Sequence, residues 1–578
     1  MRTPIASKSG IKARAISGTH TVLIALDATA TARKGLLGFA LRREDPTEDE
    51  EYWLRGSKVF PTVIPKPAQG DLYSTLEHPI QSFLWGDYTA KPGRTYHYTI
   101  RPLYGAPKKL EPGADVKLDV TTEPEKDNDG DVHGVWFNRG AIASRAYADK
   151  FKNAAPPKPE DPDDKHTAWL SRGLVEACLK FIDETKKGQK LRVAAYEFTY
   201  QPVLKALKRA ITRGVDVKIV VESGKETVKG KKVDTAATKA NRKAIKTAKL
   251  PATAIIKRTK RTKIPHNKFI VRETAGSKAV SVWTGSTNFT ESGFLGQSNV
   301  GHRIDDDAVA ACYSEFWKAL AKNPEPSDAK VSCMTITPTP VGETKKKSMT
   351  CIFSPRSDSK MLKWYADRID GAGNTVMFTA AFSVDDSIGG SLAKDRDFLR
   401  FVLMEKPPTR KVATLFKGDR DIVVAYGNVL GQTYLPNKKG ELTLRRNIPD
   451  FKLDEWFLKE EHFRKTGHVF FVHLKVLLVD PLTTDPLVCT GSANFSKPSL
   501  SSNDENMLLV RGNTRVADIY LTEFDRLLRH FYFRDMAAEL HKKGDDAKSK
   551  FLDEKGTWVG EHFSKNGMKS RRRQMFFP

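Results

Sequence analysis

The chain has 578 residues, too many for one hydrophobic core, and its 39% hydrophobic and 9% aromatic content excludes wholesale disorder. Lys and Arg number 96 against 70 Asp and Glu, a net charge of +26, which favours a polyanionic partner, nucleic acid ahead of an anionic membrane surface. No apolar run reaches the roughly 18 residues of a membrane span, and the five scattered cysteines (Cys178, Cys312, Cys333, Cys351 and Cys489) form neither a disulfide framework nor a CxxC zinc pattern.

Residues 1–19 carry no apolar leader and read as a tail. With the sparse cysteines, this points to a cytoplasmic protein. Strand-like runs follow at "HTVLIALD" (20–27), "KGLLGFALRRE" (34–44) and "YWLRGSKVF" (52–60), the last two separated by an acidic loop. In "QSFLWGDYTAKPGRTYHYTIRPLYG" (81–105) a Pro-Gly turn precedes Tyr96, Tyr98 and Ile100 on one strand face, and "ADVKLDVTTE" (114–123) supplies a last strand. The turn and its tyrosines resemble the F–G strands of a fibronectin type III-like sandwich. That resemblance implies an all-β domain over 20–123, with packing or partner binding as its role rather than chemistry.

Residues 124–165 read as a linker holding one packed segment, "VWFNRGAIASRAYADKF" (135–151), and the Pro- and acid-rich "NAAPPKPEDPDDKH" (153–166) closes it. Beyond it the pattern becomes α/β. "LRVAAYEFTY" (191–200) is a strand, "QPVLKALKRAITRG" (201–214) an amphipathic helix, and "VDVKIVVE" (215–222) a second strand. A second round begins at "NTVMFTAAFSVDD" (374–386) and "FLRFVLMEK" (398–406), which divides the region into halves over 166–325 and 326–545, with a basic tail over 546–578.

The halves match best at their chemically odd residues. In the first, His266, Lys268 and Glu273 precede "VWTGSTNFT", with Gly285, Ser286 and Asn288. In the second, His473, Lys475 and Asp480 precede "VCTGSANFS", with Gly491, Ser492 and Asn494. Each copy then runs into a helix with a Glu-Phe pair, at 312–320 and 520–528. Two residues apart on a strand, each His and Lys share one face. Polar pairs among valines and leucines are costly unless something bonds to them. Packing the halves about a pseudo-twofold axis brings both pairs to one cleft. There two lysines and two asparagines surround a phosphate, one histidine attacks phosphorus and the other protonates the leaving oxygen. Protein cations supply the charge, so neither metal nor cofactor is called for.

The doubled pattern resembles the HKD motif of the phospholipase D superfamily, His-x-Lys-x4-Asp followed by Gly-Ser-x-Asn. The resemblance implies two pseudo-symmetric α-β-α halves sharing one active site, and a metal-independent phosphodiesterase working through a covalent phosphohistidine. It implies His266 as nucleophile and His473 as general acid, although pseudo-symmetry allows the reverse. Two departures stand out. Glu273 replaces the usual Asp, and the carboxylate that orients an imidazole is met by Glu505 in the second half but by Ser298 in the first.

Substrate must be read from the surroundings. The stretch 224–268 is dense in Lys and Arg, with Glu226 and Asp234 opposing, and leads straight into His266. Such charge suits a polyanion tracking to the cleft. The tail at 565–578 is basic too. A nuclease is the leading expectation. A phospholipase D or phosphatidyl transferase acting on lipid head groups, and a non-catalytic nucleic-acid-binding protein, are the alternatives. Tyr196, Phe198 and Phe382 are candidates for stacking on bases or touching acyl chains, with core packing the plainer reading. His133, His302 and His530 lie outside the motif and are assigned no role. DNA against RNA, endo- against exonuclease action, the sandwich's role and the oligomeric state all stay open. Both motifs lie in one chain, so one active site per monomer is expected and catalysis does not demand a dimer.

Overall fold

Alternation of apolar and polar residues in the first 121 positions builds two facing sheets. Strands Ala6–Lys8, Ile11–Ser17, Val22–Ala28 and Leu84–Asp87 form one. Gly38–Asp45, Glu50–Trp53, Thr95–Ala106, Lys109–Pro112 and Val116–Thr121 form the other. Ile11, Val22, Ile24 and Leu26 meet Phe39, Leu41, Tyr98, Ile100 and Val120 between the sheets, the inward-facing alternation of a sandwich. The Tyr96 hydroxyl accepts the Lys91 backbone N–H at 2.8 Å, so this tyrosine ties the turn before its own strand. Residues expected as a tail are thus two strands of the sandwich. Their apolar positions, Ile11, Ala13 and Ala15, alternate through a lysine- and arginine-rich stretch that disguised them.

The computed structural model describes residues 1–577 except 69–70, 127–131, 141–146, 148–149, 152–155, 261–262, 382–383, 543–549 and much of 406–471. Within that last span it describes 412–414, 416, 419, 421–427, 434–436 and 442–444. Phe382 therefore lies outside the described residues.

Two seven-stranded sheets follow, with the same strand order. The first runs His133–Phe137, Val300–Ile304, Ala279–Gly285, Lys268–Glu273, Lys190–Ala195, Asp216–Glu222, Ile255–Arg258. The second runs Ser348–Ser354, Glu505–Arg511, Leu487–Gly491, Val476–Val479, Thr375–Ala380, Leu399–Met404, Ile422–Tyr426. In each, three strands are parallel and the rest antiparallel. The parallel pairing of Lys190–Ala195 with Asp216–Glu222 requires a crossover, supplied by helix Gln201–Thr212, which buries Val203, Leu204, Leu207 and Ala210. The first sheet already begins at His133, so the start of the packed segment expected in the linker, His133–Phe137, is an edge strand.

One apolar core joins the halves. Phe269 and Phe316 of the first meet Phe353 of the second, the last two with rings stacked at 4.3 Å. Ile16, Leu23 and Leu84 of the sandwich belong to the same core, so the domains are packed rather than strung together.

The carboxyl-terminal stretch is not a free basic tail. Helices Val559–Phe563 and Met568–Gln574 fold back, and Trp558 and Phe563 pack on Phe83 of the sandwich. Arg571, Arg572 and Arg573 pair with Asp421, Asp525 and Asp27 in turn. Their charge is spent inside the molecule.

Candidate active site

The site lies where the two sheets face each other, and its parts arrive in matched pairs. Lys268 opens the strand Lys268–Glu273, and His266 sits in the extended residues just before it. His473 and Lys475 both precede the strand Val476–Val479. The histidines therefore stand ahead of the ladder rather than within it, as the strand reading expected. Each lysine folds back on its own motif: Lys268 Nζ donates to the His266 carbonyl at 2.6 Å, and Lys475 Nζ to the His473 carbonyl at 2.5 Å. Both pairs are buried, and each lysine lies within electrostatic reach of the other and of both histidines.

Gly285 and Gly491 end the next strands in each half. A Cβ at Gly285 would run into the Val300 carbonyl oxygen, and one at Gly491 into that of Asn506. Glycine is needed for this close backbone approach. It sets the following serines, Ser286 and Ser492, against the neighbouring strand. They accept the N–H of Val300 at 3.1 Å and of Asn506 at 3.0 Å. Their hydroxyls donate to Asn299 Oδ1 and Glu505 Oε2, both at 2.7 Å.

These two acceptors orient the histidines, and they do so crosswise. Glu505 of the second half meets Nδ1 of His266 at 2.9 Å, while Asn299 of the first meets Nδ1 of His473 at 2.9 Å. Asn299, not Ser298, is thus the counterpart of Glu505. The expected position was one residue early, since the family pattern has a carboxylate there and the partner is an amide. Ser298 still touches the site, receiving the His473 backbone N–H at 3.3 Å.

The electrostatics follow from burial. It lowers His266 to about 4, against the opposing pull of Glu505, so the imidazole is neutral. Its Nδ1–H faces the Glu505 carboxylate and Nε2 keeps its lone pair. Burial pushes the Glu505 carboxyl up, but His266, Lys268 and Ser492 outweigh it and leave the group below its ordinary value. Burial also lowers Lys268 to about 8. It takes Lys475 and His473 well below their ordinary values, each helped by neighbouring lysine charge.

Asn288 and Asn494 are buried, and among the described residues the side-chain oxygen of each accepts no hydrogen bond. Toward a phosphate oxygen it is the Nδ2 group of each amide that can donate. Asn288 Nδ2 donates to Glu197 Oε2 at 2.7 Å. Glu197 was not foreseen. It lies two residues past the strand Lys190–Ala195, whose last residue pairs with Lys268. Tyr196 beside it stands with its ring 5.4 Å from His266, whereas Phe198 is core, packed on Phe289. Asn506 was also missed. It donates to Asn267 at 2.9 Å and accepts from Thr284 at 2.7 Å and Tyr313 at 3.0 Å, tying the halves together behind the histidines.

Glu273 and Asp480 are not brought to the site. Glu273, at the far end of its strand, accepts from Ser314 at 2.5 Å and pairs with Arg192 at 3.3 Å. Asp480 accepts the backbone N–H groups of Gly373, Asn374 and Thr375 at 2.7–2.9 Å. Both anchor the sheet. His133 and His302 hydrogen-bond each other at 2.9 Å, and His302 reaches the Tyr520 hydroxyl at 3.1 Å, a buried structural chain.

Residues 178–320 and 437–528 match the family model described as the phospholipase D-like domain of cardiolipin synthase. Among solved structures, Nuc from Salmonella typhimurium, a phospholipase D family member, is 31% identical over 26% of this chain and 87% of its own, with a TM-score of 0.20. Phosphatidylserine synthase of Haemophilus influenzae is 12% identical over 66% of this chain and 94% of its own, TM-score 0.41. A mutant yeast tyrosyl-DNA phosphodiesterase is 12% identical over 57% and 86%, TM-score 0.28. No curated protein matches the chain. This chain belongs to the phospholipase D superfamily, whose members act on phosphodiester bonds. Among the described residues no helix is long and apolar enough to cross a membrane.

Proposed function

We propose that the chain is a metal-independent nuclease, acting in the cytoplasm, that hydrolyses nucleic-acid phosphodiester bonds through a phosphohistidine. His266 Nε2 attacks phosphorus and forms a P–N bond while the P–O bond to the leaving nucleoside breaks. His473 Nε2–H gives its proton to that oxygen. His473 then takes a proton from water, whose oxygen attacks phosphorus and breaks the P–N bond. Lys268, Lys475, Asn288 and Asn494 hold the non-bridging oxygens. Burial leaves both imidazoles neutral. What supports His266 over His473 as nucleophile is the Glu505 carboxylate at its Nδ1, which stabilises the positive charge that attack develops, where His473 has only the Asn299 amide. His473 takes up its proton as the anionic substrate arrives, because negative charge nearby favours the imidazolium.

The observation that carries the choice of nucleic acid is the attachment of a basic surface to the site. Asn241 on helix Ala236–Thr247 donates to the Tyr196 carbonyl at 2.8 Å and accepts the Phe198 N–H at 2.8 Å, gripping the residues that flank Glu197. The same helix exposes Lys239, Lys243 and Lys246, and the hairpin Lys225–Val228 with Lys231–Asp234 exposes Lys225, Lys231 and Lys232. A strand of phosphates lying on these lysines is led to His266.

The test is cleavage of labelled single- and double-stranded DNA and RNA in excess EDTA by the wild type, His266→Ala and His473→Ala. Cutting that both substitutions abolish is expected. Head-group release from phospholipid vesicles with no nucleic-acid cleavage would replace this reading with lipid hydrolysis or transfer. Binding of nucleic acid that survives both substitutions, with neither substrate cleaved, would leave a binding protein.

A further inference from the structure

The two halves repeat each other at the histidines, lysines, serines and asparagines, but one acidic side chain breaks the repeat. Glu197 accepts from Asn288 Nδ2 at 2.7 Å, inside the ring of groups that surrounds the site. Asn494, the matching amide, has no carboxylate against it among the described residues, and the position matching Glu197 is Phe382 by count from the paired strands. Among the described residues the second half thus places its asparagine without an acid. Nor, among the described residues, is Glu197 neutralised by a close ion pair: Lys268 is the cation that acts on it there, and Lys268 is already shared with Glu505 and the His266 carbonyl.

We infer that Glu197 is a specificity-determining residue that makes this site accept a phosphodiester monoanion and reject a phosphomonoester dianion, including the terminal phosphate that hydrolysis leaves. The inference rests on the reading of this cleft as a phosphate site. A diester carries one negative charge, whereas a terminal phosphate carries nearly two near neutral pH. Coulomb repulsion from a fixed carboxylate scales with ligand charge, so an extra acid penalises the dianion twice as strongly as the monoanion. Without Glu197 the buried charges would be Lys268 and Lys475 against Glu505, a setting that holds a dianion well. With it, the dianion meets two carboxylates. Partial burial favours the protonated form of Glu197, with Lys268 opposing. Discrimination is thus strongest at higher pH and fades as Glu197 takes up a proton, against a background set by Lys268, Lys475, Glu505, His266 and His473.

The test is binding of sulfate, a dianion throughout, and dimethyl phosphate, a monoanionic diester, followed by imidazole NMR signals assigned with His266→Ala and His473→Ala. Glu197→Gln keeps an acceptor for Asn288, and Glu197→Ala removes the same charge by a different route. Both are expected to tighten dimethyl phosphate about threefold and sulfate about tenfold at about pH 8. The ratio of the two affinities should vary with pH in the wild type more than in either variant. Equal gains for the two anions, or none, would overturn the inference while leaving the phosphate site intact. If dimethyl phosphate moves neither histidine signal in the wild type, the phosphate-site reading falls and takes this inference with it.

Discussion

Arg258 of the first half and Asp504 of the second form a buried ion pair, with Nε 2.9 Å from Oδ2 and Nη2 3.2 Å from Oδ1. Arg258 also donates to the Pro324 carbonyl at 2.7 Å. The guanidinium belongs by sequence to the basic stretch before His266, yet it faces inward. It fixes the residue just before Glu505, so a structural salt bridge sets the acid that orients the nucleophile.

Removing one partner leaves the other charge buried and alone. Arg258→Met is expected to cost about 3–5 kcal/mol of stability, and Asp504→Asn somewhat less. Thermal and urea unfolding check this, with the double substitution expected to recover part of the loss.

The crosswise acceptors should differ in worth. Glu505→Gln removes the charge that supports the His266 imidazolium-like transition state, and is expected to lower kcat by roughly 10²–10⁴ with little change in KM. Asn299→Ala, which removes a neutral acceptor, should cost only about tenfold. Steady-state rates on a small phosphodiester compare the two. Asn299→Asp should raise the His473 pKa and carry the alkaline limb of the pH profile upward.

Stability should fall between neutral and acidic pH. Burial holds His20, His266, His302 and His473 below the ordinary histidine value in the folded state. The unfolded chain therefore binds protons first. Their contribution is whole above about pH 6.5 and is lost as pH drops toward each folded value. For His266, lowered to about 4, the full effect is about 3 kcal/mol. Melting temperature against pH should show this slope, and His266→Gln should flatten it.

Charge reversal on the basic helix tests the route to the cleft. Lys239→Glu, Lys243→Glu and Lys246→Glu together should weaken binding of single-stranded nucleic acid and reduce the slope of log affinity against log salt by roughly 0.7 per lost contact. Hydrolysis of a small diester should not change. Alanine at Arg571, Arg572 and Arg573 should do the opposite, lowering stability and leaving that slope in place, since their charges are paired internally.

The doubled His-Lys and Gly-Ser-x-Asn pattern made the paired halves and most of the site legible, because each residue type there is chemically unusual for its strand. The Asn299 position was legible in principle. It stands 13 residues after Ser286, as Glu505 stands 13 after Ser492, and only the search for a carboxylate hid it. Glu197 was not legible, since its partner Asn288 lies 91 residues away and nothing local marks the pair. The basic runs misled in part for the same reason. Sequence counts Arg258 and Arg571–Arg573 as surface charge, whereas tertiary partners far along the chain turn them inward.

The crosswise exchange of Glu505 and Asn299 depends on both motifs lying in one chain. In a symmetric dimer of identical one-motif chains, one codon would specify both acceptors, and a change at one histidine would be forced on the other. Carrying both copies in a single gene lifts that constraint. Each copy can then mutate alone, and an amide can settle beside one histidine while a carboxylate is kept beside its twin. A single chain that holds both motifs is thus what permits the two imidazoles to be set differently.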